Sequence, residues 1–291
     1  MTKRKETAFR PQNLVEAKMS LDNKAGYDLI DIVLCIINEE PETDYTNLSY
    51  EIKVADYAKL MGLKHKKNAY RKMEQACEVM QDKGFDLYQS KNTKKHKHYT
   101  WFPMIDYDEE RQSIILEVHR DTKAMLISAK INKEPITYYG LRYVLPMKSQ
   151  YSKRIYYMCK EWLNSDDKTR FDNVEDLKQK LDVPQSYRYG MFKKSVLDKA
   201  VAEINELSDI KIAYSEVFEK GRGGLKVSGI IWNICKKGES KNQQIKQAKK
   251  SFQQNRNNSK NKFNDFKNQS TDKTYNGMKF KDFEQQILSN C

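Results

Sequence analysis

Two sets of residues carry the chemistry open to this chain. His96-Lys97-His98 places two imidazoles one residue apart, and Tyr157-Met158-Cys159-Lys160 follows about 60 residues later with a phenol and an amine. On a strand alternate side chains share a face, so such a pair could hold a divalent cation while the phenol attacks a phosphodiester. Lys97, however, stands where an apolar residue should anchor that strand, and both histidines lie in the lysine-rich run from Lys91 to His98, so they read as solvated turn residues. No metal and no cofactor is assigned. The second set is cationic: Tyr187, Arg188, Lys193, Lys194, Ser195 and Lys199 precede or open a helical stretch, and Lys220 and Arg222 sit in the turn Glu219-Lys220-Gly221-Arg222-Gly223-Gly224. Cations at the leading end of a helix can reach base edges in a DNA groove, and cations on a hairpin can neutralise phosphates and release counterions.

The charge balance points the same way. A formal charge of +13 over 291 residues is lopsided, because from Lys236 onward 13 basic residues face 5 acidic ones, a surplus of +8 that leaves +5 for the rest. A polyanion partner fits this surplus. A membrane does not, since no apolar run approaches about 18 residues and the start MTKRKETAFRPQNL lacks a signal-peptide core, so a cytoplasmic location is expected. Cys35, Cys77, Cys159, Cys235 and Cys291 form no C-x-x-C pair and have no histidines at zinc spacing, so they read as reduced, mostly buried thiols. The acidic groups Glu39, Glu40, Glu42, Asp44 and Asp106, Asp108, Glu109, Glu110 read as solvated loop charge.

The elements that must position the cations recur twice. After a polar stretch expected to be loose, Tyr27 to Ile37 is an apolar helix, Ile52 to Gly62 a short one, and Lys66 to Lys83 a longer amphipathic one. That last helix turns Ala69, Met73, Ala76, Val79 and Met80 inward and Lys67, Asn68, Arg71 and Lys72 outward. Strands Phe85 to Tyr88 and Tyr99 to Ile105 then flank a basic turn holding Lys94 and Lys95, and Ser113 to Val118 completes the sheet. In the second unit Ser149 to Leu163 is a helix with Tyr151, Ile155, Met158, Cys159 and Trp162 on its core side, Val174 to Leu181 a short one, and Met191 to Leu207 a long one basic at its start. Ile210 to Tyr214 and Leu225 to Trp232 form the second hairpin.

Helix, basic helix and basic hairpin, stated twice, predict an α+β chain of two tandem winged-helix domains with a disordered basic C-terminal tail. The predicted boundaries are a flexible N-terminus over 1–24, a first domain over 25–135, a second over 136–237 and the tail over 238–291. Within that tail Met278, Phe280, Phe283, Ile287 and Leu288 could form a short amphipathic helix on a partner. The aromatics Trp101, Phe102, Tyr138, Tyr139 and Trp232 are assigned to core packing rather than to base stacking.

Met147-Lys148-Ser149-Gln150-Tyr151-Ser152-Lys153-Arg154-Ile155-Tyr156 resembles the Leu-Lys-Ser-x-Tyr-Ser-x-Arg-Leu-Tyr segment of iteron-binding theta-type plasmid replication initiators. Leu177 to Leu181, Phe192 to Leu197 with Ala200, Glu203, Ile204 and Asn205, Asp209-Ile210, and Lys220-Gly221-Arg222 continue in that family's order. The likeness covers Leu141 to Ile234 and extends more thinly over Ile52 to Asp82, where Leu60-Met61-Gly62 and Ala69-Tyr70-Arg71 fit. Met191 and Ser195 depart from it, standing where the family has an acidic or polar residue and a third cation.

The resemblance implies that the second winged helix reads the main half of a directly repeated site in double-stranded DNA, while the first mediates dimerisation or touches the adjacent half. The expected DNA contacts are Tyr187, Arg188, Lys193, Lys194, Ser195, Lys199, Lys220, Arg222, Lys148 and Lys153, and in the first domain Lys66, Lys67, Asn68, Arg71, Lys72, Lys94 and Lys95. It further implies dimers that repress their own gene at an inverted repeat, and recruitment of the host initiator DnaA and the replicative helicase. No covalent chemistry is expected, and no G-x-x-x-x-G-K-[ST] phosphate loop occurs. Two alternatives remain: a winged-helix transcriptional repressor, and a rolling-circle nicking initiator built on the His pair and Tyr157.

Overall fold

Phe9 is completely buried although it lies in the segment expected to be loose. The structure, a computed structural model, describes residues 6–19, 21, 23–41, 44–88, 96–165, 168–221 and 224–238. Its first element is β1 (Thr7–Pro11), followed by α1 (Gln12–Glu16), β2 (Lys18–Met19) and α2 (Lys24–Glu39). The polar look of this segment misleads because large apolar side chains described in it, Phe9, Leu14, Val15 and Met19, turn inward. The α2 helix starts where the Asn23 side chain accepts the Ala25 N–H, and Leu29, Ile30, Val33, Leu34 and Ile37 form its buried face.

Next come β3 (Ser49–Lys53), α3 (Val54–Leu60), α4 (Lys66–Met80), β4 (Gly84–Tyr88) and β5 (His96–Thr100). The helix expected from Ile52 therefore starts two residues later and ends at Leu60. Tyr50 and Ile52 alternate inward with period two as strand residues, and helical spacing begins at Val54, Tyr57 and Ala58. Gly62, at φ +63°, takes the left-handed conformation that ends α3. Beyond β5, β6 (Met104–Asp108) and β7 (Ser113–Glu117) join β3 in a sheet ordered β3-β7-β6, whereas β2, β4 and β5 form another. The single strand expected from Tyr99 to Ile105 is thus two strands in two sheets, broken where Trp101 and Phe102 bury themselves and Pro103 withholds a ladder N–H. For the same reason Ser113 to Val118 pairs with β3 and β6 and not with the hairpin.

The chain continues with α5 (Arg120–Ile131), β8 (Ile136–Gly140), α6 (Leu141–Val144), α7 (Gln150–Glu161) and one 3-10 turn (Trp162–Asn164). β8 pairs antiparallel with β1, Phe9 opposite Tyr138. Trp162, expected on the core side, is 37% exposed, because the tighter turn rotates it out of the α-helical phase of Cys159. Tyr138 is exposed as well, while Trp101, Phe102, Tyr139 and Trp232 are buried as core residues. The last elements are β9 (Thr169–Asn173), α8 (Val174–Lys180), α9 (Tyr189–Phe192), a π turn (Lys193–Leu197), α10 (Asp198–Leu207), β10 (Ile210–Gly221) and β11 (Gly224–Lys236).

The compact units are Met1–Met158 with Gln179–Pro184, and Cys159–Lys178 with Gln185–Cys291. The first extends well past 135 because β8 completes a sheet with β1 and because α7 supplies partners for buried acids of α2. Asp31 accepts hydrogen bonds from Arg10 (2.9 Å), Tyr139 (2.7 Å), Lys153 (2.9 Å) and Tyr157 (2.7 Å), all of them fully or almost fully buried. Burial alone would raise the Asp31 carboxyl, but Lys153 and Arg10 hold it below the ordinary carboxylate value. The second unit has its own buried pair, in which Arg170 grips Asp172 through two hydrogen bonds of 2.8 Å while Trp232 Nε1 donates to the same carboxylate at 3.1 Å. Cys35, Cys77, Cys159 and Cys235 are buried free thiols, and burial pushes the Cys77 thiol up to about 12. Cys291 and the tail from 239, including Met278 to Leu288, lie outside the described residues.

Candidate nucleic-acid interface

In the second unit α8 is followed by one continuous helical run through α9, the π turn and α10. Phe192, Val196, Leu197, Ala200 and Ile204 are its buried side. Phe192 and Leu197, five residues apart, would diverge on a straight α-helix. The π turn, closed by the Asp198 N–H onto the Lys193 carbonyl, absorbs one extra residue, about 100° of phase, and lets both face the core. The opposite side of the leading end then carries Met191, Lys194 and Lys199 exposed, Ser195 half-buried, and Arg188 exposed just ahead of it. Tyr187 is half-buried, and its carbonyl accepts the Lys178 ammonium at 3.2 Å. Lys178 also lies over the Phe192 ring, so one lysine of α8 fixes the approach to the long helix.

Three polar ties join this helix to alternate residues of β10. Lys193 Nζ and Tyr189 Oη both donate to Glu216 Oε1 at 2.7 Å. Tyr214 donates to Asp198 at 2.6 Å, and the Asn205 side chain exchanges hydrogen bonds of 2.9 and 2.7 Å with the Ile212 backbone. Burial, then the Glu216 hydrogen bond, pushes the Tyr189 phenol up, so it stays a donor. Helix and hairpin therefore form one rigid piece. The hairpin pairs β10 with β11 out to Gly221 opposite Gly224, and β9 flanks β11 on the other edge. Lys220 is exposed near its end, while Arg222 lies outside the described residues.

In the first unit α4 exposes Lys67, Asn68, Arg71 and Lys72 along one side, opposite buried Ala69, Met73, Ala76 and Met80. The Lys66 backbone opens this helix, though its side chain is not described. Beside it the β4–β5 hairpin presents His96, Lys97 and His98 to solvent, with Lys94 and Lys95 in the part not described. His98 Nδ1 is 2.8 Å from Asp86 on the facing strand. Tyr157, the other half of the possible nicking constellation, is fully buried with its hydroxyl on Asp31, and burial followed by the Asp31 charge raises its phenol well above the ordinary value. Among the described residues no group of three or more His, Cys, Asp or Glu could hold a metal ion, and no helix is long and apolar enough to cross a membrane.

Residues 8–160, more than half of the chain, match the family described as Initiator Replication protein, WH1, and residues 173–234 match Initiator Rep protein, WH2. The chain belongs to the replication initiator family. Its two units are winged-helix domains in tandem. Among solved structures this initiator is similar to the Pi initiator protein in complex with iteron DNA, with a TM-score of 0.62 and 19% identity over 79% of this chain and 97% of that one. It is also similar to domains 2 and 3 of RctB, with a TM-score of 0.43 and 13% identity over 78% and 85% of the two chains. No curated protein matches it.

The initiator departs from the sequence reading at Lys153. Expected among the DNA contacts, it is fully buried, its ammonium held by Asp28 and Asp31, so it cannot reach a phosphate. Its neighbour Arg154 is also buried and donates to the Ala17 carbonyl. The segment from Met147 to Tyr156 thus builds the core of the first unit, with only Lys148 of its cations exposed. Sequence reasoning missed Tyr189, Glu216 and Tyr214. The i, i+4 spacing of Tyr189 and Lys193 and the i, i+2 spacing of Tyr214 and Glu216 were the available signals, but only the register of β10 against the helix says which residues meet.

Proposed function

We propose that this initiator acts in plasmid replication by binding directly repeated duplex sequences at the origin, the second unit reading the main half of each repeat. The observation that carries the reading is the single rigid piece formed by the long helix and hairpin, with Arg188, Lys194, Ser195 and Lys199 at the leading end and Lys220 on the wing. A helix end of this kind fits a major groove, and Lys193 would join the contact from its tie to Glu216. The iteron DNA bound by the Pi initiator supports the same class of ligand. The first unit contributes Lys67, Asn68, Arg71 and Lys72 to the adjacent half-site, and Lys148 adds phosphate contact.

In this reading the protein dimerises through the first unit, acts in the cytoplasm, and recruits the host initiator DnaA and the replicative helicase without covalent chemistry of its own. The burial of Tyr157 supports that last point. The deciding experiment footprints the full chain on the DNA flanking its gene and supplies the chain to a non-replicating circle bearing that DNA. Protection of several direct repeats, with replication dependent on the chain, is expected. Protection of a lone inverted repeat without replication would make the protein a repressor instead.

A further inference from the structure

The wing of the second unit ends in an apolar face that folding does not use. Leu225, 74% exposed, is the most exposed large apolar side chain among the described residues, and Phe218 is 41% exposed. They share a face because of a bulge. Val217 pairs with Gly229 but Phe218 pairs with Val227, so Ser228 is the extra residue in β11. In an unbroken ladder Val227 and Leu225 would lie on the face of Gly229. The extra residue turns them over to join Phe218 and Lys220. By strand alternation this is also the face of Glu216 and Tyr214, which hold the long helix. Lys220, directly opposite Leu225, shares this face, while Lys226, paired with Glu219, stands on the other, and all three charged residues are exposed.

We propose that Leu225, backed by Phe218 and Val227, is a wedge that enters the minor groove of bound duplex DNA and unstacks a base step. The proposal rests on the reading of the long helix as a major-groove reader. Duplex DNA is the occupant that Lys220 on the same face favours, since it would meet a phosphate at the edge of the groove. The reach agrees. From Glu216 at the helix to Lys220 opposite Leu225 is four strand residues, about 14 Å. Major and minor grooves alternate every half turn, about 17 Å of a turn of roughly 34 Å, and the Leu225 side chain adds to the strand's length. An apolar side chain pushed between base pairs opens the step toward the major groove, a deformation easiest at a flexible pyrimidine–purine step.

The test uses the full chain and a duplex that it has selected from a random-sequence pool, with 2-aminopurine placed in turn at each adenine within a helical turn of the protected bases. Wild-type protein is expected to raise the fluorescence several-fold at one step. Leu225→Ser should return that step to the level of the free duplex while still retaining the duplex, and Leu225→Met should keep the signal. Binding without a rise at any position, or a rise that survives Leu225→Ser and Phe218→Ser, overturns the wedge and leaves the helix reading intact. Failure to select any duplex overturns the DNA reading itself. Should Leu225→Ser abolish self-association in sedimentation and leave the fluorescence unchanged, the face docks a second copy of the chain and the proposal is wrong.

Discussion

The Lys153 ammonium lies 2.9 Å from the Asp31 carboxylate, and both side chains are fully buried. A cation in that position serves the fold, not the ligand. Removing one member of a buried pair leaves the other uncompensated, at a cost of about 3–5 kcal/mol. Lys153→Met should therefore lower the unfolding free energy of the first unit by that order in denaturant titration, and the variant that remains folded should bind DNA with unchanged salt dependence. A shallower salt dependence with unchanged stability would return Lys153 to the interface.

The same cluster sets a pH limit. Asp31 is held below its unfolded value of about 3.9 by Lys153 and Arg10. Its contribution is therefore present above about pH 4 and is lost as the pH falls through the folded value. Thermal unfolding followed from pH 7 downward should show a drop below about pH 4 that is smaller in Asp31→Asn, whose stability is already reduced at pH 7.

Tyr157 donates to Asp31 from the core, so Tyr157→Phe removes a hydrogen bond to a charged group and should cost about 1.5–3 kcal/mol. Supercoiled origin DNA incubated with Mg²⁺ or Mn²⁺ should yield no covalent adduct with either wild type or variant. An adduct mapped to Tyr157 would require the first unit to open and would restore the nicking reading.

Lys194 is exposed at the leading end of the long helix and Lys193 is tied to Glu216 beside it. Replacing either by Ala should weaken binding to the cognate repeat by about 1–3 kcal/mol where a base edge is contacted. Competition against unrelated duplex measures whether the loss is sequence-specific. Unchanged affinity in both variants removes this helix from the interface.

Glu216 holds Lys193 in one direction and offsets its charge. Glu216→Gln should free that charge, strengthen binding to unrelated duplex, and steepen the slope of log affinity against log salt by about 0.9, the increment for one more phosphate contact. Tyr189→Phe, which leaves the Lys193–Glu216 pair in place, should not change the slope. Equal slopes for wild type and Glu216→Gln would mean that Lys193 already spends its charge on DNA.

The sequence by itself determined the repeated pattern of helix, basic helix and hairpin, because period 3.6 gives way to period 2 at Gly84 and again near Ile210, and these local preferences survive folding. It also marked the cations at the head of the long helix, since exposed residues need no partner to be recognised. Only the tertiary structure decided which cations are exposed at all. Lys153 and Lys194 look alike in the chain, yet one meets Asp28 and Asp31 from a helix more than a hundred residues away, and the other meets solvent. The N-terminal strand was hidden for a related reason. Phe9 and Arg10 become core residues only when β8 supplies the ladder and Asp31 the counter-charge, and neither partner is a sequence neighbour. Pairing across such separations fixed the extent of the first unit, the role of the Met147 to Tyr156 segment, and the register that sets Glu216 against Lys193.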